Sequence, residues 1–157
     1  MKKINMLLIV ASFAAISCSQ LPIKTEVKQD HFRIENFIVE KGTQLDLVHL
    51  MCFHKRPTEW SAAKQYVAGD HVLWVKASIA ERGIVKNVKE AFVQFKVKLD
   101  PGKSYMLNRS VKGDQISIWI QESETEIKAS DVIVAGLKQP LLVDYHLRQT
   151  QCRDGSV

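Results

Sequence analysis

The chain has 157 residues, of which 46% are hydrophobic and 25% are charged, and its 22 Lys and Arg against 17 Asp and Glu give a net charge of +5. That length suits one domain with a core of ordinary size and leaves little room for a second. Basic residues alternate with acidic ones, as in residues 81–90. No basic stripe suited to a phosphate backbone results, so nucleic acid is not an expected partner.

The amino-terminal segment predicts export. Lys2 and Lys3 precede an apolar run over residues 6–16, and small or polar residues follow at positions 17–20. This order is typical of a signal peptide. The apolar run is about eleven residues long, whereas a helix that crosses a bilayer needs roughly twenty. We therefore expect the signal helix to be cleaved.

The end of this run, Ala15-Ile16-Ser17-Cys18, resembles the lipobox of bacterial lipoprotein precursors. The resemblance implies cleavage before Cys18, attachment of diacylglycerol to its thiol and acylation of the new amino terminus. Ser19 stands where an aspartate would favour retention in the inner membrane, so the resemblance implies the outer membrane, facing the periplasm, in a Gram-negative cell. The alternative is an ordinary secretory signal with a chance cysteine.

This interpretation divides the chain into three parts. Residues 1–17 form the signal peptide. Residues 18–30, which are polar and aperiodic, form the lipidated cysteine and its tether. Residues 31–157 form a single β-sandwich domain.

The remaining cysteines predict a disulfide. Once Cys18 of the three cysteines is assigned to the lipid, Cys52 and Cys152 are left as a pair. An even number of cysteines in an oxidising compartment favours a bridge. Two buried free thiols are the alternative, whereas a catalytic thiol is not favoured because no cationic partner surrounds either residue.

Alternation with a period of two dominates from His31 onward and predicts half-buried strands. We expect a strand or short helix over residues 45–53, one or two helical turns over 57–66, and strands over 130–137 and 141–147. The clearest alternating sets are Leu73, Val75, Ala77 and Ile79; Val93, Phe95, Val97 and Leu99; and Ile116, Ile118 and Ile120.

Turn signals separate these strands. Asp100-Pro101-Gly102-Lys103 predicts a tight turn and a hairpin whose return strand begins at Tyr105, and residues 112–114 predict the next turn. Seven or eight short strands with such spacing favour a mainly β, two-sheet sandwich.

The run from Leu99 through Gly102 to Tyr105, after a strand led by Gly69, is similar to that of small bacterial surface and periplasmic β-domains. The resemblance covers about 55 residues and its motifs are mostly turn chemistry. It implies an immunoglobulin-like or transthyretin-like sandwich and implies no activity.

Two aromatic residues are candidates for ligand binding. Trp74 and Trp119 have the parity opposite to the apolar residues of their strands. On an exposed sheet face they would form a platform for a sugar ring or a partner's side chain. The alternative is that a second sheet or a helix covers them.

The sequence predicts no catalytic site, cofactor or metal. There is no G-x-S-x-G, no H-E-x-x-H and no phosphate-binding glycine loop. His49, His54 and His71 are the candidates should a metal bind, but the chain has no H-x-H or C-x-x-C motif, and histidines on the surface are the alternative.

The expected function is that of a lipid-anchored, non-enzymatic binding or assembly component of the bacterial envelope. Its partners would be the membrane, through the anchor, and other envelope proteins. A binder of carbohydrate or small ligands that uses Trp74 and Trp119 is one alternative, and a metal-carrying or enzymatic envelope protein is the other.

Overall fold

A computed structural model describes residues 26–59, 62–81, 87–141 and 145–155, so Cys18 and the signal segment lie outside the described residues. Within these ranges the chain forms eleven strands and one helix. The strands are β1 (His31–Glu35), β2 (Phe37–Lys41), β3 (Gln44–Leu50), β4 (Cys52–Phe53), β5 (Arg56–Pro57), β6 (Lys64–Val67), β7 (Gly69–Glu81), β8 (Lys89–Leu99), β9 (Ser104–Lys112), β10 (Gln115–Glu122) and β11 (Ile133–Gly136), and the helix is α1 (Tyr145–Asp154).

The strands form two main sheets and a short ribbon. Sheet A has the order β11-β10-β9-β1-β6, sheet B has the order β2-β3-β7-β8, and β4 pairs with β5. All pairs are antiparallel except β1 with β9, which is parallel. One cluster of buried residues joins the inner faces of sheets A and B. The predicted mainly β, two-sheet sandwich is confirmed.

The core contains the apolar sets that alternate in the sequence. Successive side chains of a strand point to opposite faces, so one parity enters the core. Leu73, Val75 and Ala77 of β7 are buried, as are Ile116, Ile118 and Ile120 of β10. In β8, Val93, Phe95 and Leu99 are buried while Val97 is half-buried. The strand predicted over 45–53 is β3 followed by β4, and that predicted over 130–137 is shortened to β11.

The hairpin predicted around residues 100–103 is wrong. The turn exists, with Gly102 at φ 75°, but β8 belongs to sheet B and β9 to sheet A. Tyr105 is buried at the start of β9, and its hydroxyl accepts a hydrogen bond of 3.0 Å from the backbone N–H of Asp100. This bond holds a corner at which the chain crosses from one sheet to the other.

The helical turns predicted over residues 57–66 are also wrong where the chain is described. Pro57 ends β5, and β6 begins at Lys64, while residues 60–61 lie outside the described ranges. Tyr66 pairs with Phe32, and Lys64 with Ile34. Pairing with β1 outweighs the modest helix propensity of Ala62 and Ala63.

The predicted strand over residues 141–147 is replaced by helix. Tyr145 begins α1, and residues 142–144 lie outside the described ranges. Its two described leucines do not join the core, because Leu141 is 76% exposed and Leu147 is 53% exposed. The helix instead buries Cys152. No helix among the described residues is long and apolar enough to cross a membrane.

Part of the predicted tether lies against the domain. The side chain of Gln65 in β6 donates to the carbonyl oxygen of Glu26 and accepts from the backbone N–H of Lys28, both at 2.9 Å. The N–H of Ala68 donates to the carbonyl of Asp30 at 2.9 Å. Residues 26–30 therefore run beside β6, whereas residues 18–25 of the predicted tether lie outside the described residues.

A buried ion pair links the two sheets. Asp46 of β3 is only 2% exposed, and its carboxylate accepts a hydrogen bond from the guanidinium of Arg109 in β9. Gln44 donates to the other carboxylate oxygen at 2.7 Å. The Arg109 guanidinium also lies 4.9 Å from the centre of the Phe37 ring. The pair thus fixes how sheet A sits on sheet B.

We expect Arg109→Met to lower the free energy of unfolding by about 3 kcal/mol, because it leaves the Asp46 carboxylate buried without its partner charge. Urea unfolding monitored by circular dichroism measures this. Adding Asp46→Asn should recover part of the loss. Lys89→Met, which breaks the exposed Lys89–Asp114 pair, is the control and should change stability much less. If Arg109→Met and Lys89→Met lower the free energy of unfolding equally, the Asp46–Arg109 pair does not have this role.

Candidate binding surface

The Cys52–Cys152 disulfide places the carboxy-terminal helix on the outer face of sheet B. Cys52 lies in β4 and Cys152 in α1, their Cα atoms are 5.3 Å apart, and both residues are buried. Met51 is buried beside them, and Trp74 and Phe92 pack against the cluster. The disulfide predicted from the cysteine count is present in the structure.

The ribbon that carries Cys52 is closed by a two-residue turn. His54 and Lys55 both have positive φ angles, 49° and 60°, between the paired residues Phe53 and Arg56. Two left-handed residues in a two-residue loop make a type I′ turn, which matches the twist of the flanking strands. The Lys64 ammonium lies 3.4 Å from the centre of the Phe53 ring, so the ribbon contacts β6 as well as α1.

Helix α1 covers the aromatic side chains on this face of the sheet. The guanidinium of Arg148 lies 3.2 Å from the centre of the Phe92 ring, and one of its nitrogens donates to Gln151 at 2.5 Å. Just after the helix, Gly155 is buried against Trp74. Phe92 and Trp74 are therefore half-buried under the helix rather than fully exposed.

Two adjoining clefts remain between α1, the segment over residues 137–141 and sheet B. One, of about 520 Å³, is lined by Trp74, Phe92, Leu141 and Leu147 among others. The second, of about 330 Å³, reaches Met51, Tyr145 and Arg148. Leu141, Tyr145 and Leu147 are exposed at the rim. Exposed apolar side chains around a cleft are typical of a contact surface.

A polar cluster lies at the floor of the smaller cleft. The ammonium of Lys76 in β7 is 2.7 Å from the carboxylate of Glu90 in β8, and both side chains are mostly buried. Lys76 is paired across the sheet with His49 of β3, which is 1% exposed. Burial, followed by the positive charge of Lys76, lowers the pKa of His49 from 6.5 to about 4, while the nearby backbone of Thr58 acts in the opposite direction. At neutral pH the imidazole is therefore uncharged.

The two tryptophans predicted as a binding platform are not brought together. Trp74 lies in β7 of sheet B and Trp119 in β10 of sheet A, each on the outer face of its own sheet. Trp119 donates from its ring nitrogen to Gln121 at 2.7 Å, and the Lys128 ammonium lies 5.0 Å from its ring. A ligand would therefore meet each tryptophan separately.

The histidines considered as metal ligands are also apart. His49 is buried on the outer face of sheet B, whereas His54 is exposed in the ribbon turn. His71 lies with its ring edge towards Phe32, 5.1 Å between centres, and hydrogen-bonds to the carbonyl of Val67. Among the described residues, no three His, Cys, Asp or Glu side chains form a group able to hold a metal ion.

Comparison with models of known protein families, with curated proteins and with solved structures finds no match to this chain. The chemistry of the described surface is therefore the basis for inferring function. This surface has apolar and aromatic contact area, an ion pair at the floor of one cleft and a helix that a disulfide links to β4.

Sequence reasoning missed most of this surface. It identified Cys52, Cys152 and Trp74 but not the contact of Arg148 with Phe92 or the Lys76–Glu90 pair. A signal for the pair was present, because Lys76 and Glu90 both lie at the outward parity of their strands. No local pattern indicates that a helix from the carboxy terminus covers them.

The pKa of His49 predicts how stability changes with pH. Between pH 6.5 and 4 the unfolded chain binds a proton that the folded protein does not, so stability falls as the pH falls through this window and the contribution levels off below pH 4. The titration of His49 lowers the free energy of unfolding by about 3 kcal/mol across this window. We expect His49→Gln to reduce the loss measured by urea unfolding at pH 7 and pH 4. His54→Gln, at an exposed position, is the control, and parallel curves for all three proteins would contradict the assignment.

The contact between Gly155 and Trp74 leaves no room for a side chain. A Cβ atom at Gly155 would lie 2.6 Å from Cδ1 of Trp74 and 3.1 Å from the carbonyl oxygen of Val72. We expect Gly155→Ala to lower the free energy of unfolding by about 1–3 kcal/mol, as overpacking does.

Thermal unfolding followed by circular dichroism measures the effect of Gly155→Ala. The matched control is Gly136→Ala, because a Cβ atom there meets nothing within 4 Å. If the two substitutions cost the same, the helix end does not pack on Trp74 as described.

Proposed function

We propose that this chain is a lipid-anchored protein of the bacterial envelope that acts as a binding or assembly component without bond chemistry. The observation that carries the proposal is the disulfide between Cys52 and Cys152. Of the three cysteines in the sequence it uses the two in the domain, which leaves Cys18, at the end of the apolar run, available for the lipid. Disulfides also form and persist mainly in oxidising compartments outside the cytoplasm.

The contacts of residues 26–30 support a domain held close to the membrane. Because Glu26 and Lys28 are hydrogen-bonded to Gln65, the domain begins at Glu26, and the chain between Cys18 and Glu26 can span at most roughly 28 Å. Two or three acyl chains at Cys18 would make release negligible, since each buried methylene contributes about 0.8 kcal/mol. A short tether keeps the domain at high effective concentration beside envelope partners.

The surface around α1 supports binding as the role of the anchored domain. It combines the clefts beside Phe92 with the exposed Leu141, Tyr145 and Leu147. Such a surface provides contact area for a partner. The outer membrane, facing the periplasm, is the proposed location, and the immunoglobulin-like or transthyretin-like assignment of the sandwich stays a prediction.

The proposal predicts the mass of the mature protein. We expect intact mass spectrometry of the membrane fraction of a bacterial host to give a chain that begins at Cys18, carries diacylglycerol and acyl groups, and is two hydrogens lighter because of the disulfide. Cys18→Ala should abolish the lipid and the membrane association. A Cys52→Ala, Cys152→Ala variant should keep the lipid, which separates the anchor from the fold. A soluble, unlipidated wild-type product would contradict the proposal and favour an ordinary secretory signal.

A further inference from the structure

Strand β8 presents an open edge of sheet B. Among the described residues, β8 pairs with β7 along its length and on its other side only at Glu90, which bridges to Lys138. There the Glu90 N–H donates to the Lys138 carbonyl at 2.7 Å, and the Lys138 N–H donates to the Glu90 carbonyl at 2.9 Å. Beyond this bridge, no second strand is hydrogen-bonded to this side of β8 among the described residues.

The direction of the remaining backbone groups follows from this bridge. The register between β7 and β8 runs without interruption from Lys89 to Leu99. Along such a strand, alternate residues point their N–H and C=O groups to the same side. The residues that share the orientation of Glu90 are Phe92, Gln94, Lys96 and Lys98. Their backbone groups face away from β7 and form a template for another strand.

The side chains along this edge change from apolar to basic. Phe92 lies at the larger cleft beside the exposed Leu147, whereas Lys96 and Lys98 are exposed further along β8. Side chains on one face of neighbouring strands interact directly, and opposite charges stabilise such pairs. A complementary strand therefore has an apolar residue next to Phe92 and acidic residues next to the two lysines.

We propose that β8 binds an extended acidic segment of another envelope protein by strand addition, with an apolar side chain of that segment in the cleft at Phe92. The segment runs antiparallel to β8, which continues the antiparallel bridge that Lys138 makes with Glu90. Main-chain hydrogen bonds supply affinity and the alternate side chains supply specificity. This inference names the partner class for the proposed envelope function and rests on it.

The same lysines argue against a second copy of this chain as the occupant. Antiparallel pairing of two β8 edges about residues 96–98 would place basic side chains near one another, which destabilises a sheet. Lysines on edge strands are a common protection against such self-pairing. An acidic strand would instead place carboxylates beside Lys96 and Lys98, and opposite charges attract.

The test uses the mature, lipidated chain in detergent and two synthetic peptides. ETETVTLT places glutamates beside Lys98 and Lys96 and leucine beside Phe92, and KTKTVTLT is its basic counterpart. We expect the acidic peptide to bind more tightly in isothermal titration calorimetry, with the preference reversed by the double change Lys96→Glu, Lys98→Glu. Lys41→Glu on β2, at the opposite edge of sheet B, is the matched control and should leave both affinities unchanged.

A proline at Gln94 tests the backbone component. The N–H of Gln94 faces the open edge, so Gln94→Pro removes a donor without taking one from the ladder with β7. We expect affinity for ETETVTLT to fall about tenfold, the change expected for one lost backbone hydrogen bond. Circular dichroism checks that Gln94→Pro folds. If this variant does not fold, the peptide affinities of the Lys96→Glu, Lys98→Glu variant test strand addition instead.

Three results would overturn the inference. The first is equal affinity for the two peptides, and the second is binding unaffected by both β8 changes. The third is a wild-type dimer, seen by sedimentation, that the lysine double change disrupts, since that would assign the edge to self-association. These outcomes leave the mass of the mature protein untouched, so failure of strand addition is distinguishable from failure of the lipid anchor.

Discussion

The disulfide between Cys52 and Cys152 is the constraint on which the outer layer of this protein depends. Helix α1 has ten residues and buries only Cys152 within its length. A helix this short is marginal in water unless tertiary contacts hold it. The bridge spans 100 residues of sequence. In the chain-entropy model, closing a loop of that size raises the free energy of unfolding by roughly 4.7 kcal/mol. The contact of Arg148 with Phe92 and that of Gly155 with Trp74 follow from this attachment.

Beneath this layer, two polar contacts determine how the sheets are joined. The Tyr105 hydroxyl holds the corner where the chain passes from β8 to β9, and the Asp46–Arg109 pair spans the sheets within the sandwich. Each is a directional polar contact inside the sandwich, so it specifies geometry that apolar packing alone would leave free. One consequence is that β8 ends sheet B rather than pairing with β9, and in the described part of the chain only Lys138 bridges to its outer edge.

The candidate contact surface lies around α1 and the neighbouring edge of β8. The clefts under α1 adjoin the apolar end of the β8 edge, and the lysines continue along it. His49, Lys76 and Glu90 lie beneath the same region, and Lys76 and Glu90 form an ion pair at the floor of the smaller cleft.

The sequence by itself determined the strand parity and most of the core, because alternation is a local property that holds in any sheet arrangement. It also predicted the Cys52–Cys152 pair, but only once the lipobox resemblance had assigned Cys18 to the lipid. It did not determine which sheet each strand joins: the signals at residues 100–103 specify a turn, but the hydroxyl of Tyr105 and the burial around it make that turn a corner. Nor did it determine the helix over Tyr145–Asp154, the pairing of Lys64–Val67 with β1, or the cover over Trp74. These features depend on contacts between residues far apart in the chain, and only the tertiary structure brings those residues together.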